Sequence, residues 1–127
     1  MTKYIKGKIV HGEGWARRLG YSTANMRKPS TRKMPLKHGV YAAWGRIGKE
    51  KKWRKAILIV GAPAFFQKKV KKLEIYFINF KGNLYGKQVT AKPVHFVRPM
   101  RKFTNTRERI AQIKKDLKAV KGVLLDE

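Results

Sequence analysis

Apolar and polar residues alternate along several short stretches of the chain, and this two-residue period is typical of half-buried β-strands. It is clearest over Leu73–Phe80, where Glu74 and Tyr76 fall on the face opposite the apolar side chains. Four further strands are predicted over Tyr4–Val10, Gly39–Ile47, Trp53–Val60 and Gln88–Val97. Pro93 interrupts the last of them and indicates an edge or a bulge, because proline cannot donate to a strand ladder.

The spacing of apolar residues changes to a helical period near the end of the chain. Asn105 and Glu108 form a capping-box pattern, in which each side chain can bond the backbone of the other's turn. Apolar residues then recur at helical spacing, at Ile110, Ile113, Leu117 and Val120. Gly122 is predicted to end this helix, which gives a helix over about 105–121.

Several antiparallel strands followed by one amphipathic helix predict a mainly β domain that spans residues 1–127. A small closed barrel is the favoured architecture, because closure removes the exposed edges of short strands, and the helix would cover one face or end. The stretch His11–His38 is polar and contains glycine and proline, so it is predicted to be a long loop. A loop of that length in a compact domain is usually functional.

The net charge of the chain gives information about its partner that the hydrophobic pattern does not. Its 127 residues include 32 Lys and Arg but 7 Asp and Glu, which gives a formal net charge of +25, while 43% of the residues are hydrophobic. The apolar fraction supports a packed core, and the charge indicates a polyanionic partner: nucleic acid, an anionic membrane surface or a phosphorylated small molecule. The basic residues are densest at 49–55 and 68–72, between predicted strands, which predicts charged hairpin turns.

Composition also excludes several classes of protein. The chain has no cysteine, so disulfides, thiolate zinc sites and cysteine nucleophiles are excluded. No apolar run approaches the ~18 residues of a membrane-spanning helix, and the first residues lack the apolar core of a secretory signal, so a cytoplasmic protein is the simplest expectation. His11, His38 and His95 lack metal-ligand spacing and are interpreted as surface or structural residues.

Standard nucleotide fingerprints are incomplete, but the stretch His11–Asn25 carries a specific string. Gly12 and Gly14 begin a G-x-G-x-x-G pattern whose third glycine position is Arg17. The whole string, HGEGWARRLGYSTAN, resembles the riboflavin kinase (flavokinase) family, in which a glycine-rich turn precedes a basic residue and Leu-Gly-aromatic-Pro-Thr-Ala-Asn. Further family landmarks follow in family order at Gly39–Ala43, Leu73–Ile75, Asn83–Gly86, Val97–Pro99 and Lys102–Phe103.

The resemblance extends over nearly the whole chain and implies a six-stranded antiparallel Greek-key β-barrel with a C-terminal α-helix. It implies ATP-dependent phosphorylation of riboflavin to FMN with Mg²⁺ as cofactor. The adenylyltransferase domain that many bacterial members carry is absent from this sequence, so FAD synthesis is not expected. ATP and riboflavin are then the partners of the protein.

The resemblance also implies the roles of individual residues. Glu74 would accept the proton of the riboflavin hydroxyl, and Thr23 and Asn25 would hold Mg²⁺. Both ligands would face one way, because they are two positions apart on an extended segment. The residues implied for nucleotide binding are Gly12, Gly14, Arg17, Arg18, Gly20, Thr23 and Asn25. Arg98 and Phe103 are implied on the flavin side. Taken alone, the Thr23/Asn25 pair could instead form a local turn and Glu74 could pair with a surface lysine.

The chain departs from the family pattern at several positions. Ser22 stands where the family has proline, Pro63 lies one position early before Ala64-Phe65-Phe66, Tyr76 replaces a common histidine, and Asn79 and Met100 replace acidic residues. Several of these changes remove acidic or polar groups while the surface gains positive charge. This is the pattern expected of an enzyme fold recruited to bind RNA.

Two functions therefore stay open from the sequence alone. The first is an active riboflavin kinase, favoured because a motif is more specific than a charge. The second is a highly basic RNA-binding protein on a flavokinase scaffold, with RNA or the ribosome as its partner. The residues proposed for that contact are Lys49, Lys51, Lys52, Arg54, Lys55, Lys68, Lys69, Lys71 and Lys72.

Overall fold

The computed structural model describes residues 4–10, 24–27, 36–61, 72–80, 82–101 and 103–124. These form the strands β1 (Ile5–Val10), β2 (Ala24–Arg27), β3 (Gly39–Ile47), β4 (Arg54–Gly61), β5 (Lys72–Phe77) and β6 (Gln88–Arg98), and the helix α1 (Thr106–Val123). Neighbouring strands are antiparallel and close into a barrel in the order β1-β2-β5-β4-β3-β6. The six-stranded barrel with a C-terminal helix is confirmed.

The strand β2 lies inside the stretch that the hydrophobic pattern assigned to a loop. It pairs with β1 on one side and with β5 on the other, so the ring could not close without it. Met26 is buried in the barrel interior, while Asn25 and Arg27 lie on the outer face. The prediction of a continuous loop over 11–38 was therefore wrong at these four positions.

The barrel interior is filled by the inward side chains of all six strands. The alternation predicted for β5 is confirmed, because Leu73, Ile75 and Phe77 are each at most 3% exposed and belong to the interior cluster. Gly45 on β3 makes room for the ring of Phe77: a Cβ added at that glycine would lie 2.4 Å from Cε1 of the ring. Tight contacts of this kind are expected in an interior packed to crystal-like density.

The predicted irregularity at Pro93 is confirmed as a bulge. Along the β3–β6 pair, Ala42 is opposite His95 and Ala43 is opposite Pro93, so one residue of β6 has no partner in the register. That residue is Val94, whose side chain is 50% exposed. The bulge directly follows Pro93, which lacks an N–H and cannot donate to the regular hydrogen-bond ladder.

The helix packs on the outer face of the barrel. Val120 of α1 and Leu124, which caps the helix, are buried in one cluster with Val40, Ala42 and Ile57 on β3 and β4. The predicted helix end at Gly122 was wrong, because α1 continues to Val123 and the Leu124 N–H donates to the Val120 carbonyl over 2.9 Å. Burial of these two apolar side chains extends the last turn past the glycine. Within the described part of the chain, no helix has the length and hydropathy needed to cross a membrane.

The N-terminal cap of α1 forms largely as the capping-box pattern predicts. The Asn105 side chain accepts a hydrogen bond from the Glu108 N–H at 2.9 Å. The Glu108 carboxylate reaches back to the Thr104 N–H at 3.2 Å, one residue earlier than the usual reciprocal partner. Two backbone donors at the start of the helix are thereby satisfied.

Candidate active site

Asn25 and Glu74 are brought together by strand pairing. In the antiparallel register of β2 and β5, Asn25 is the direct partner of Glu74, with Ala24 opposite Ile75 and Met26 opposite Leu73. The flanking residues pack inside the barrel, so Asn25 and Glu74 both project from its outer face. Cβ atoms of directly opposed residues are ~5 Å apart, close enough for both side chains to contact one ligand.

The amide oxygen of Asn25 is buried and lacks a hydrogen-bond donor. Among the described residues, no donor contacts Asn25 Oδ1, although this atom is removed from solvent. A buried acceptor without a partner costs about 1–3 kcal/mol, so such an atom usually marks a place where a ligand, an ion or a water completes the bonding. A hard cation is well matched to this position, because Mg²⁺ prefers carboxylate and amide oxygens.

Glu74 is the sole carboxylate on the six described strands. It is half-buried, and its row on the outer face continues to Ile59 on β4 and, through Asn25, to Val10 on β1. The pair therefore sits between two apolar neighbours, Ile59 and Val10, on the outer face of the barrel. Such a carboxylate is suited to accept a proton from a substrate hydroxyl held against it.

Most of the residues implied for nucleotide binding lie outside the described residues. These are Gly12, Gly14, Arg17, Arg18, Gly20 and Thr23. Thr23 directly precedes β2, and Asn25 is the second residue of that strand. The described geometry thus brings together Asn25 and Glu74, and the placement of the other six stays a prediction.

Arg98, predicted on the flavin side, contacts the helix. Its Nε and Nη2 donate to the two carboxylate oxygens of Asp116 at 2.7 and 2.8 Å, and its Nη1 donates to the Pro99 carbonyl at 3.1 Å. Asp116 is 5% exposed and also accepts from the Gln112 side-chain amide at 3.0 Å. This bidentate pair fixes the end of β6 against α1. Contact of Arg98 with flavin remains a prediction.

The segment that follows β6 approaches the same end of the barrel as Glu74. The Met100 side chain lies over Gly61, where an added Cβ would be 3.2 Å from its Cε. Gly61 pairs with Lys72, two residues before Glu74 on β5. Phe103 is half-buried under the Arg101 guanidinium, 5.4 Å from its ring centroid. Met100 thus lies over the end of β4 that pairs with the start of β5, and the flavin-side role of Phe103 stays a prediction.

Two departures from the family pattern have local explanations in the fold. Tyr76 projects from the outer face of β5 and packs against the cluster under α1, so it supports the helix. Asn79 follows β5 with φ of 57°, a left-handed conformation that asparagine tolerates better than most residues. The changes at Ser22, Ala64, Phe65 and Phe66 lie outside the described residues.

Some of the basic residues proposed for RNA binding lie in described segments, and the others lie outside them. Lys49, Lys51 and Lys52 are exposed on the turn between β3 and β4, which confirms the first predicted hairpin turn. Arg54 lies 3.4 Å from Glu50 and over the Phe80 ring at 5.0 Å, while Lys55 is half-buried on β4. Lys68, Lys69 and Lys71 lie outside the described residues, as does the side chain of Lys72.

Sequence reasoning missed the role of Asp116. It places the terminal helix on the barrel through Arg98, and it was not singled out among the helix residues. The available signal was its position on the apolar stripe, three residues after Ile113 and four before Val120. A charged side chain on a buried helix face requires a partner.

A family model, a curated relative and a solved structure relate the chain to riboflavin kinases. The sequence model of the flavokinase family, described as riboflavin kinase, matches residues 2–124. A bifunctional riboflavin kinase/FMN adenylyltransferase of Listeria monocytogenes is 32% identical over 111 residues, which cover 87% of this chain and 35% of that protein. The crystal structure of riboflavin kinase from Trypanosoma brucei is 26% identical with a TM-score of 0.72, and the match covers 95% of this chain and 78% of that one.

A further relative is named for RNA binding as well as for riboflavin kinase activity. The RNA-binding riboflavin kinase RibR of Bacillus subtilis is 27% identical over 117 residues, which cover 91% of this chain and 49% of that protein. The chain thus spans less than half the length of these two curated bacterial relatives.

Proposed function

The chain belongs to the riboflavin kinase family, and on that premise we propose that it transfers the γ-phosphoryl group of ATP to the 5′-hydroxyl of riboflavin. The observation that supports this most directly is the pairing of Asn25 with Glu74 on the outer face of β2 and β5. The pair combines an oxygen ligand with a candidate base at neighbouring positions. Phosphoryl transfer needs both a cation site and a positioned hydroxyl.

Glu74 is proposed to act on the acceptor. Its carboxylate accepts the proton of the 5′-hydroxyl as the hydroxyl oxygen forms a bond to the γ-phosphorus. The bond from that phosphorus to the β–γ bridging oxygen breaks, so ADP leaves and FMN remains. Glu74 then releases the proton to solvent. The half-buried position of Glu74 between Asn25 and Ile59 restricts the approach of water to its carboxylate.

Asn25 is proposed to hold Mg²⁺ together with Thr23. The buried Oδ1 of Asn25, which no described residue satisfies, fits this role because a cation would supply its missing partner. When bound, Mg²⁺ neutralises phosphate charge and orients the terminal phosphate group. Gly12, Gly14, Arg17, Arg18 and Gly20 remain the proposed residues for the phosphate groups of ATP.

Arg98 and Phe103 are proposed to act on the flavin side in different ways. All three guanidinium nitrogens of Arg98 donate hydrogen bonds to Asp116 or Pro99, so Arg98 positions the segment after β6. Phe103 lies on that segment and offers an aromatic face for the isoalloxazine ring. A cytoplasmic location, where ATP and Mg²⁺ are available, suits the proposed reaction.

The direct test is FMN formation by the purified chain. Riboflavin, ATP and Mg²⁺ are incubated with the protein, and FMN is separated from riboflavin by chromatography and quantified by its fluorescence. We expect FMN to accumulate with time and to require both ATP and the metal. Absence of FMN from protein that is folded by circular dichroism would overturn the proposal.

A second function, RNA binding, has support of a different kind. The net charge of +25 greatly exceeds what one nucleotide site needs, and the RibR relative is named as RNA-binding. The exposed lysines of the turn between β3 and β4 are suited to phosphate contacts. Filter binding of labelled RNA at near-physiological salt tests this function. Absence of binding would overturn the proposal that the protein binds RNA.

A further inference from the structure

The outer face of β1, β6 and β3 carries a set of basic and aromatic side chains. Strand register places Lys6, Thr90 and Arg46 in one line across these three strands, because Thr90 is the partner of both the others. The next outward-facing pair on these strands is Lys8 on β1 opposite Gln88 on β6. On the other side of Thr90, Lys92 is the next outward-facing residue of β6. The four cations of this region and two aromatic residues beside them are called the basic face. It consists of Tyr4, Lys6, Lys8, Arg46, Trp53 and Lys92.

Nothing on these strands neutralises the charge of the basic face. The sequences of β1, β3 and β6 contain no Asp or Glu. Among the described residues, Arg46 contacts the Trp53 ring, with its guanidinium carbon 4.9 Å from the ring centroid, and contacts no carboxylate. Its Nε is buried and has no acceptor among them either. Unneutralised cations on rigid strands raise the local concentration of a polyanion.

The aromatic border gives this face a feature that a simply solvated basic surface lacks. The rings of Tyr4 and Trp53 lie 6.0 Å apart and are inclined by 38°. Tyr4 is 52% exposed and precedes Lys6 by two residues, so much of its surface is accessible to a ligand. Nucleic-acid bases stack on such rings, and stacking on an aromatic residue next to backbone-binding cations is typical of single-strand binding.

The centre of the basic face lies on the opposite side of the barrel from Glu74. In the closed order β1-β2-β5-β4-β3-β6, β6 stands three strands from β5 in either direction, so the two strands are on opposite sides of the barrel. Asn25 and Glu74 lie on β2 and β5, whereas the basic face is centred on β6. The two surfaces are nearest where β1 pairs with β2, at Lys8 opposite Arg27, two residues along β2 from Asn25.

We propose that the basic face binds single-stranded RNA, with phosphates on its lysines and Arg46 and a base stacked on Tyr4. This proposal rests on the second function above and adds to it a specific surface. The exposed turn between β3 and β4 lies beside Trp53, so Lys49, Lys51 and Lys52 extend the same surface for a longer strand. Cations beside an exposed aromatic ring provide phosphate contacts together with a surface for base stacking, the combination typical of single-strand binding.

Charge removal at two places on the surface tests this assignment. The first variant combines Lys6→Gln, Lys8→Gln and Lys92→Gln. The matched control removes the same number of charges from the exposed side of α1 by Lys114→Gln, Lys118→Gln and Lys121→Gln. Binding of a labelled single-stranded RNA is measured by fluorescence anisotropy over a range of salt concentrations.

We expect the first variant to flatten the dependence of log K on log salt by about 2, because single strands contribute about 0.7 per phosphate contact. The control should keep a slope close to that of the parent. Equal losses in the two variants would overturn the surface assignment while leaving RNA binding intact. Absence of binding by the parent would instead overturn the RNA-binding function itself.

Removal of the stacking ring tests the single-strand preference. Tyr4→Leu keeps an apolar side chain and removes the aromatic face, and Tyr85→Leu is the control at a second tyrosine that is 55% exposed. We expect Tyr4→Leu alone to weaken single-strand binding by about 5-fold to 160-fold, the range of one base–aromatic stack. Unfolding midpoints confirm that both variants are folded. Unchanged affinity in Tyr4→Leu, or duplex RNA that binds the parent as tightly as a single strand, would overturn the stacking role.

Discussion

Asn25 on β2 and Glu74 on β5 are direct cross-strand partners, and both side chains leave the outer face of the barrel. A candidate metal ligand and a candidate base are thus held side by side by backbone pairing. The partners of β2 on both sides fix this geometry. Rigid strands position such groups more accurately than loops do.

Replacement of Asn25 by alanine is expected to weaken Mg·ATP binding without lowering the stability of the protein. Its buried Oδ1 has no donor among the described residues, so Asn25→Ala should leave the unfolding free energy unchanged or raise it. The same change should weaken Mg·ATP binding while riboflavin binding is retained. Calorimetric titration and urea unfolding measure the two effects.

Asn83→Ala is the matched control for that experiment. The Asn83 side chain accepts a hydrogen bond from the Tyr85 N–H at 2.9 Å, so its loss should cost stability and leave Mg·ATP binding intact. Unchanged Mg·ATP affinity in Asn25→Ala would show that Asn25 acts only in the local structure of β2.

Two glycine-to-alanine changes should have opposite effects on stability. A Cβ at Gly45 would lie 2.4 Å from Phe77 in the packed interior, so Gly45→Ala should destabilise the protein by ~1–3 kcal/mol. Apart from its chain neighbours and the backbone of its own helix, no described atom lies within 4 Å of a Cβ at Gly122 in the last turn of α1, so Gly122→Ala should stabilise the protein by ~0.5–1 kcal/mol. Thermal or urea unfolding checks both values, and a stable Gly45→Ala protein would contradict the packing described for Phe77.

Two ion pairs in the chain are expected to differ in strength. Asp116→Ala leaves the Arg98 guanidinium without its bidentate partner, and we expect a loss of about 3 kcal/mol. Glu50→Ala breaks the exposed pair with Arg54 at 3.4 Å and should cost less than about 1 kcal/mol. Equilibrium unfolding in urea compares them. Equal small losses would indicate that Asp116 does not anchor α1 on the barrel.

Tyr41 should make stability depend on pH in the alkaline range. Burial raises the pKa of Tyr41 above its model-peptide value of 10.0, and its hydroxyl donates to the Lys37 carbonyl at 2.7 Å. The neutral phenol is therefore favoured in the folded state. Its contribution is fully present below about pH 10 and is lost as the pH rises through the folded-state pKa. The stability difference between the parent and Tyr41→Phe should shrink over that range in urea unfolding, and a constant difference would contradict the assignment.

The hydrophobic pattern predicted five of the six strands and the helix but not β2. That strand has four residues with Met26 as its single large apolar side chain, which is too short for a period to be visible. It is defined by its partners on both sides, and pairing of distant segments is not encoded in either segment alone. The end of α1 was misplaced for a related reason, because burial of Leu124 outweighs the intrinsic preference of Gly122.

The candidate site was predictable only through the resemblance. Neither the sequence around Asn25 nor that around Glu74 indicates that the two are cross-strand partners. The contact of Arg98 with Asp116 was not predicted, although a carboxylate on the apolar stripe of α1 signals a buried partner. The Arg46–Trp53 contact depends on the meeting of β3 with the residue before β4, which sequence spacing does not reveal.

Glu74→Gln tests the proposed catalytic role most directly. The substitution preserves the shape of the side chain and removes the base, and Glu50→Gln on the exposed turn is the matched control. FMN formation from riboflavin and Mg·ATP is measured for the parent and both variants, with unfolding midpoints as the check on folding. We predict that FMN formation falls by about 10²–10⁴ in Glu74→Gln and stays at the parent level in Glu50→Gln. A folded Glu74→Gln protein that forms FMN as fast as the parent would contradict the account.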